Sequence, residues 1–402
     1  MAAPNKCFEV RVLPDKGRCL FATHDIREGE HIFEEEPIAS CQFLWNAFYQ
    51  YRACDHCMKP LETAEQNARR LTANPELTVP HADICTVETA KHVACQRCQV
   101  QYCSKECKEK AWRLYHRILC KIESVDDPSH PLIVLKESWR NVHFPPETAN
   151  IMLIARMAAT VKQALDKENL LTSLFNLTTR TFNFEDRIAH KLLGEKFQEQ
   201  IEYFRNVLAS QFCDADTQQW FTPEGFRSIL ALIATNGQGV GTSALSAYVH
   251  KCDTLDLPAG ERKQLDAFID KLYEDIDRET GPFLNCEGSG VYLLQSAANH
   301  SCIPNAEITF PNNNHVLCLI ATTSINANEE ICISYLDECA RGRSRHSRQK
   351  TLREYYLFNC DCAKCAAEAD QQDVTSDEED EEEDVGCPDG EEGDDDVEES
   401  FS

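Results

Sequence analysis

The sequence predicts an α+β protein in which short strands at both ends enclose a helical middle, and in which bound metal replaces part of a hydrophobic core. Three observations predict it. Alternating apolar runs occur near both ends of the 402 residues, apolar residues recur at helical spacing between them, and eight of the 22 cysteines crowd into residues 54–120. A chain of this length can hold more than one domain and bury a sizeable core.

Taken in order, Phe8–Leu13 alternates as a half-buried strand does, Asp15-Lys16-Gly17 is a turn signal, and Arg27-Glu28-Gly29-Glu30 is a second one before His31–Phe33. Residues 54–120 show almost no hydrophobic periodicity. A segment so poor in apolar residues needs metal to hold it together. From about residue 147 the period becomes helical. Met152, Ala155, Ala159 and Lys162 mark one stretch, Ile188, Leu192, Phe197, Ile201, Phe204 and Leu208 a longer one. Leu265, Phe268, Ile269, Leu272 and Ile276 make a third that stops before Gly281-Pro282. Between them, Asn236-Gly-Gln-Gly-Val-Gly241 reads as too glycine-rich for a regular element. Strands return at Val316–Ile320 and Ile331–Tyr335, and residues 370–399 are low-complexity acid, expected to be disordered.

The formal charge of −27 is uneven. No Lys or Arg follows Lys364 and 19 of the 67 acidic residues do, which leaves the first 365 residues at −8. An acidic body argues against direct nucleic-acid binding, since neutralising phosphates takes clustered cations, and favours a basic protein partner. The apolar runs Ile229–Ala234 and Ile151–Val161, the latter broken by Arg156, are too short to span a bilayer, and MAAPNKCFEV has no secretory pattern. The expectation is a soluble intracellular protein with no membrane contact, in the cytoplasm, with the nucleus left open. In a reducing compartment so many cysteines point to metal rather than disulfides.

Their spacing agrees. Cys54-x2-Cys57, then 37 residues, then Cys95-x2-Cys98-x4-Cys103-x3-Cys107-x8-His116-x3-Cys120 supplies eight N or S ligands, enough for two tetrahedral zinc ions. A RING ubiquitin-ligase finger also binds two zincs, but it sets a Cys-x-His soon after its third ligand, which Cys95–Cys103 does not match. The spacing, with Tyr102-Cys103, instead resembles a MYND finger. That family's interleaved pairing implies one zinc on Cys54, Cys57, Cys103 and Cys107, and another on Cys95, Cys98, His116 and Cys120. The 37-residue gap is longer than is usual there and reads as an insertion loop built around a short helix near Ala64–Leu71. Further on, Cys360-Asp-Cys362-Ala-Lys-Cys365 offers three thiolates and lacks a fourth nearby, except Cys387 within the acid.

Asn299-His300-Ser301-Cys302-Ile303-Pro304-Asn305 and Glu329-Glu330-Ile331-Cys332-Ile333-Ser334-Tyr335 resemble the two signature motifs of SET-domain lysine methyltransferases. The Cys-x-Cys-x2-Cys run resembles their post-SET zinc motif, which implies Cys302 as fourth ligand to Cys360, Cys362 and Cys365. Lys16-Gly17-Arg18-Cys19-Leu20-Phe21-Ala22-Thr23 resembles the first cofactor loop. A SET domain split by a MYND finger is the arrangement of the SET and MYND domain-containing (SMYD) family, and the likeness covers nearly residues 7–366.

The resemblance implies a SET fold of small curved sheets, S-adenosyl-L-methionine as methyl donor, three structural zinc ions, and methylation of a lysine on a basic protein such as a histone or a ribosomal protein. It implies residues 1–53 as the first part of the SET domain, 54–120 as the zinc finger with its insertion, 121–230 as a helical insertion, 231–340 as the SET core with the active site, 341–366 as the post-SET segment and 367–402 as the acidic tail. It gives Tyr335 the catalytic role. Cofactor contacts fall to Lys16, Gly17, Arg18, Asn236, Asn299, His300, Tyr335 and Phe358. On the residues alone, a turn residue at Asn236 and plain packing at Phe358 stand as the lesser alternatives.

Two positions depart from the family pattern. Cys19 stands where the loop usually has a second glycine, and Asn328 where a glycine usually precedes Glu-Glu; Asn tolerates positive φ, so that turn is expected to survive. The altered loop leaves open a scaffold that binds proline-containing peptides through its MYND finger and transfers little. The basic run Arg341–Lys350 reads as a solvated helix face before a nuclear signal. A monomer is expected, because no apolar interface stands out.

Overall fold

The computed structural model describes residues 6–120, 130–142, 150–177, 198–281 and 284–369. Of the sequence expectations, Ile188, Leu192, Phe197, Pro282, Cys387 and the acid after residue 369 lie outside the described residues.

The strands are β1 (Phe8–Leu13), β2 (Gly17–Ala22), β3 (His31–Glu35), β4 (Ala39–Gln42), β5 (Val93–Ala94), β6 (Gln101–Tyr102), β7 (Gly237–Thr242), β8 (Cys286–Val291), β9 (Asn299–His300), β10 (Ala306–Thr309), β11 (Leu317–Ala321) and β12 (Glu330–Ile333). They form four small sheets, ordered β1-β2-β12-β9, β10-β11-β3, β4-β8-β7 and β5-β6. The predicted turn at Asp15–Gly17 reverses β1 into β2, with Gly17 at φ +74° and the full register from Phe8↔Ala22 to Leu13↔Gly17. Asn328 takes φ 66°, the left-handed conformation that the missing glycine would have supplied.

The glycine-rich stretch corrects the sequence reading. Gly237–Thr242 is strand β7, paired residue for residue with Cys286–Val291. The β4-β8-β7 sheet packs too tightly for side chains at some positions: a Cβ on Gly288 would lie 2.3 Å from the Cys41 carbonyl oxygen. Glycine has low intrinsic strand preference, and in β7 pairing along the whole of β8 overrides it, although a Cβ on Gly239 would meet nothing within 4 Å.

The helix Ile151–Gln163 is buried on all sides and forms the centre of the largest core, among Trp139, Phe204, Phe226 and Ile233. Asn150 caps it, accepting from Met152 N at 3.0 Å. Its one buried cation, Arg156, faces the zinc finger. Arg156 donates to the carbonyls of Ser40 (2.9 Å) and Asp55 (2.6 Å), to the Tyr115 hydroxyl (3.1 Å) and to Asp55 Oδ1 (2.9 Å). Asp55 sits between Cys54 and Cys57, so this one guanidinium joins β4, the central helix and the first zinc loop. Ile201, Phe204 and Leu208, from the second predicted stripe, are buried on the helix Gln198–Phe212.

The predicted helix in the 37-residue gap is Ala64–Leu71, opened by a capping box between Thr63 and Gln66. It is more than an ornament of a loop. Ala64, Ala68 and Leu71 form a separate core with Leu245, Tyr248 and Cys252 of the helix Ala244–Asp253 and with Leu265, Leu272 and Ile276 of the helix Ala259–Thr280. That last helix contains the third predicted stripe and stops at Gly281, φ +66°. Among the described residues no helix is long and apolar enough to cross a membrane.

Arg156→Met is expected to destabilise the protein by about 3–5 kcal/mol, the scale for removing one partner of a buried charged network. Guanidinium unfolding of the zinc-loaded protein checks it, and a midpoint unchanged from wild type would refute the role given to this residue.

Candidate active site

The site depends on a parallel pairing across thirty residues of sequence. Strand β9 runs alongside β12, with Asn299 opposite Cys332 and His300 opposite Ile333, while β12 also pairs antiparallel to β2 through Glu330↔Phe21 and Ile331↔Leu20. The two motif segments and the first loop thus meet at one end of one sheet. Asn305 fastens them further: its Oδ1 accepts from Cys332 N at 2.8 Å and its Nδ2 donates to the Glu330 carbonyl at 2.9 Å.

His300 is the hinge of the arrangement. Its Nδ1 accepts the backbone N–H of Tyr335 at 2.9 Å, which places the ring proton on Nε2, and Nε2 lies 3.4 Å from Cys302 Sγ. The Tyr335 hydroxyl donates to the Ala298 carbonyl at 2.9 Å, and a hydroxyl that donates one bond keeps the chemistry of an acceptor. Around it stand three rings: Tyr356 at 4.8 Å between centroids, His300 at 5.4 Å and Phe358 edge-on at 6.2 Å. Tyr356 donates its hydroxyl to the Tyr335 carbonyl at 3.3 Å, and burial pushes that hydroxyl above its ordinary range, so it stays a neutral donor. Leu357, at φ 58°, turns the chain between Tyr356 and Phe358, both of which line the cavity.

That cavity holds about 600 Å³. Of the predicted site residues, Lys16, Asn236, Asn299, His300, Tyr335 and Phe358 line it. Gly17 and Arg18 lie just behind its wall. Arg18 donates to the Leu293 carbonyl and to Ser296 Oγ, 2.8 and 2.7 Å, and so braces the turn that carries Ser296. Beside it, Glu35 accepts three successive backbone N–H groups, of Leu293, Leu294 and Gln295, at 2.7–2.9 Å. Burial pushes the Glu35 carboxyl above its ordinary range while those donors and Arg18 pull it back. Asn236 is the last residue of the helix Pro223–Asn236, not a turn residue, and its Nδ2 donates to the Leu232 carbonyl.

Cys19 does not obstruct the loop. It is fully buried in β2 opposite Arg11, its φ is not positive, and its Sγ accepts from Asn299 Nδ2 at 3.0 Å. The same amide donates to Glu330 Oε1 at 2.9 Å, and Glu330 pairs with Lys16 at 3.0 Å. The thiol therefore helps to orient Asn299 toward the cavity.

Sequence reasoning missed Gln238, Gln295, Ser296 and Tyr356, all in the cavity wall. Gln295 Oε1 is buried with no hydrogen-bond partner among the described residues, an acceptor that suits a ligand's amino group. For Tyr356 a signal existed in the aromatic run Tyr355-Tyr356-Leu357-Phe358; for Gln238 and Gln295, which meet only through β7 and β8, none did.

Three groups of side chains fit zinc. The ligand atoms of Cys54, Cys57, Cys103 and Cys107, of Cys95, Cys98, His116 and Cys120, and of Cys302, Cys360, Cys362 and Cys365 lie within 4.8 Å of one another in each group. Zinc–sulfur bonds of about 2.3 Å set tetrahedral sulfurs about 3.8 Å apart. The separations agree: 3.6 Å for Cys57–Cys103, 3.6 Å for Cys95–Cys120, and 3.6 and 3.9 Å from Cys302 to Cys365 and Cys360. Each group holds four protein ligands, the closed composition of structural zinc. The Cys302 thiol is drawn well below its ordinary range by Cys360 first, with His300 and Arg348 adding to it against burial.

The third group corrects the reading of Arg341–Lys350 as a solvated face at two positions, whereas Arg343, His346 and Lys350 are exposed. The helix Arg345–Tyr355 buries Arg348 and Gln349 against the cysteines. Arg348 lies 3.7 Å from Cys365 Sγ and pairs with Glu368; Gln349 exchanges two hydrogen bonds with the backbone of Cys360. Thiolates and loop carbonyls out of water need donors, and this run supplies them.

The SET domain family matches residues 17–336. The chain is 59% identical over 366 residues to the protein-lysine N-trimethyltransferase SMYD5 of Gallus gallus, covering 91% of this chain and 87% of that protein. It is 57% identical over 371 residues to the protein of that name from Homo sapiens, covering 92% and 89%. More distantly, it is 25% identical over 363 residues to the histone-lysine N-methyltransferase ASHR1 of Arabidopsis thaliana, covering 90% of this chain and 55% of that protein.

Elemental analysis of the purified chain is expected to find zinc in all three closed groups. Cys302→Ser should lose the zinc of the third group alone and with it the order of Tyr335, read as loss of ligand-induced thermal shift. Full zinc content in that variant would show that Cys302 is no ligand.

Proposed function

The chain belongs to the SET-domain family, among the SET and MYND domain-containing protein-lysine methyltransferases, and from that premise we propose that the cavity between β9, β12 and the post-SET segment is where S-adenosyl-L-methionine and the target lysine meet. The chain is a protein-lysine methyltransferase that uses S-adenosyl-L-methionine. The residues assigned to the reaction, the basic character of the target and the transfer of up to three methyl groups, as the names of its relatives state for them, belong to the proposal.

One observation carries it. Six residues from five separate parts of the chain, Lys16, Asn236, Asn299, His300, Tyr335 and Phe358, line a single cavity. The polar side, Asn299, Asn236 and the unpartnered Gln295 oxygen, fits the amino-acid and adenine ends of the cofactor. Bound there, S-adenosyl-L-methionine supplies a methyl group on a positively charged sulfur, which the reaction discharges.

The chain's own residues align the amine and exclude water. Tyr335 presents an oxygen acceptor to the lysine nitrogen, since its proton is committed to Ala298. Tyr356 and Phe358 wall the approach with rings. Desolvation among them favours the neutral amine, the form that attacks, over ammonium. His300, held at both ring nitrogens, fixes the Tyr335 backbone and so the direction in which the hydroxyl points. Asp15 and Asp361 stand at the cavity wall, on a body of net −8, which favours a lysine within a basic sequence.

Cys19 disfavours the scaffold alternative, because its side chain faces Asn299 from within β2 and leaves the cofactor loop open.

Radiolabelled methyl transfer to gel-resolved histones and ribosomal proteins tests the proposal. Tyr335→Phe should lower the rate on the order of 10²-fold with cofactor binding nearly unchanged, the effect of misplacing the nucleophile. Asn299→Ala should instead weaken cofactor binding about tenfold, one hydrogen bond to a charged group. Equal transfer by wild type and Tyr335→Phe would refute the assigned role. Preferred labelling of acidic over basic proteins would refute the substrate class.

A further inference from the structure

A fourth cluster of ligand side chains lies away from the cavity, on the β10-β11-β3 sheet. Strand β11 sends Leu319 and Ala321 into one core and Leu317 into another, whereas Cys318 belongs to no hydrophobic cluster although it is fully buried. It points to the opposite face of the sheet. Cover there is polar: His31 Nδ1 lies 3.3 Å from Cys318 Sγ, and Glu34 pairs directly across from Cys318 in the register.

Residues three apart on a regular strand face opposite sides. Here the register slips between Leu319↔Phe33 and Ile320↔His31, so Ile32 is an extra residue on β3. The bulge turns His31 onto the face of Glu34. The result is a His, a carboxylate and a thiol whose ligand atoms all lie within 4.8 Å of one another. The nitrogen–sulfur separation of 3.3 Å is near the about 3.5 Å edge expected for zinc bonded to both.

We propose that His31, Glu34 and Cys318 form a fourth metal site, for Zn2+ or a divalent ion of similar ligand preference. It differs in kind from the other three. They are closed by four protein ligands, whereas this one has three, with both His31 and Glu34 exposed, so a fourth coordination position opens to solvent. Three protein ligands and a water make an exchangeable site rather than a permanent structural one. Metal entry replaces the Cys318 S–H bond with a metal–sulfur bond and releases that proton to solvent. None of the three residues lines the active-site cavity. The ion would pin β3, an edge strand, to β11 across the bulge.

Cobalt titration of the full-length, zinc-loaded protein tests the site, because a thiolate–Co2+ bond gives a near-ultraviolet charge-transfer band. The expected result is one Co2+ taken up per chain while the zinc content of the three closed groups stays constant. Cys318→Ser should abolish the band, and His31→Ala and Glu34→Gln, both at exposed positions that leave folding intact, should weaken binding. Methyl transfer should persist in all three variants. No band in the wild type, or a band that survives Cys318→Ser at constant zinc, would overturn the proposal. So would a Cys318-dependent band unaffected by both exposed substitutions.

Discussion

The parallel contact between Asn299-His300 and Cys332-Ile333 is short, two residues on each side, and the rest of the site depends on it. It sets His300 where one ring nitrogen takes the Tyr335 N–H and the other faces the Cys302 sulfur. A single imidazole thereby connects the Cys302 group of ligand side chains with Tyr335 on the cavity wall. Two short strands alone would be marginal; the Asn305 side chain fastens the crossing, and a zinc ion held by the group Cys302, Cys360, Cys362 and Cys365 would strengthen it.

A second junction repeats the logic at larger scale. The cysteine-rich segment 54–120 has little apolar content, yet it is not an appendage, because Arg156 reaches from the most buried helix to Asp55 between Cys54 and Cys57. The helix of the 37-residue insertion packs on the helices of residues 244–280 and forms a core of its own. The segment 54–120 and the rest of the fold are therefore joined by charged contacts, Arg156 with Asp55 and Lys110 with Glu36, by hydrogen bonds such as those from Gln163 to the Trp112 and Arg113 carbonyls, and by shared apolar cores. The departures from the family pattern fit this frame: Asn328 supplies the left-handed turn and Cys19 supplies an acceptor for Asn299.

Much of the site was legible because zinc ligands and cofactor motifs are local patterns. Cysteines two to four residues apart, and Asn-His-Ser-Cys with Ser-Tyr, carry their meaning within a few residues. The capped helix at Ala64–Leu71 was likewise readable from its own segment. What misled was composition without a partner. The glycines of 237–241 read as irregular because their partner strand, Cys286–Val291, lies far along the chain, and Arg348 and Gln349 read as solvated because their partners come from Cys360–Glu368.

The sequence by itself determined the chemistry: which side chains are thiolates, which tyrosine and asparagine flank the motifs, where helices start, and that the body is acidic. Only the tertiary structure decided which groups face one another. The Gln295 acceptor arises from the turn after β8, the Tyr356 wall from the end of the helix Arg345–Tyr355, and the His31–Glu34–Cys318 cluster from strand register, through one extra residue in β3. Register follows from the sum of contacts over both faces of a sheet, which no local pattern contains, and a single-residue slip sends each following side chain to the other face.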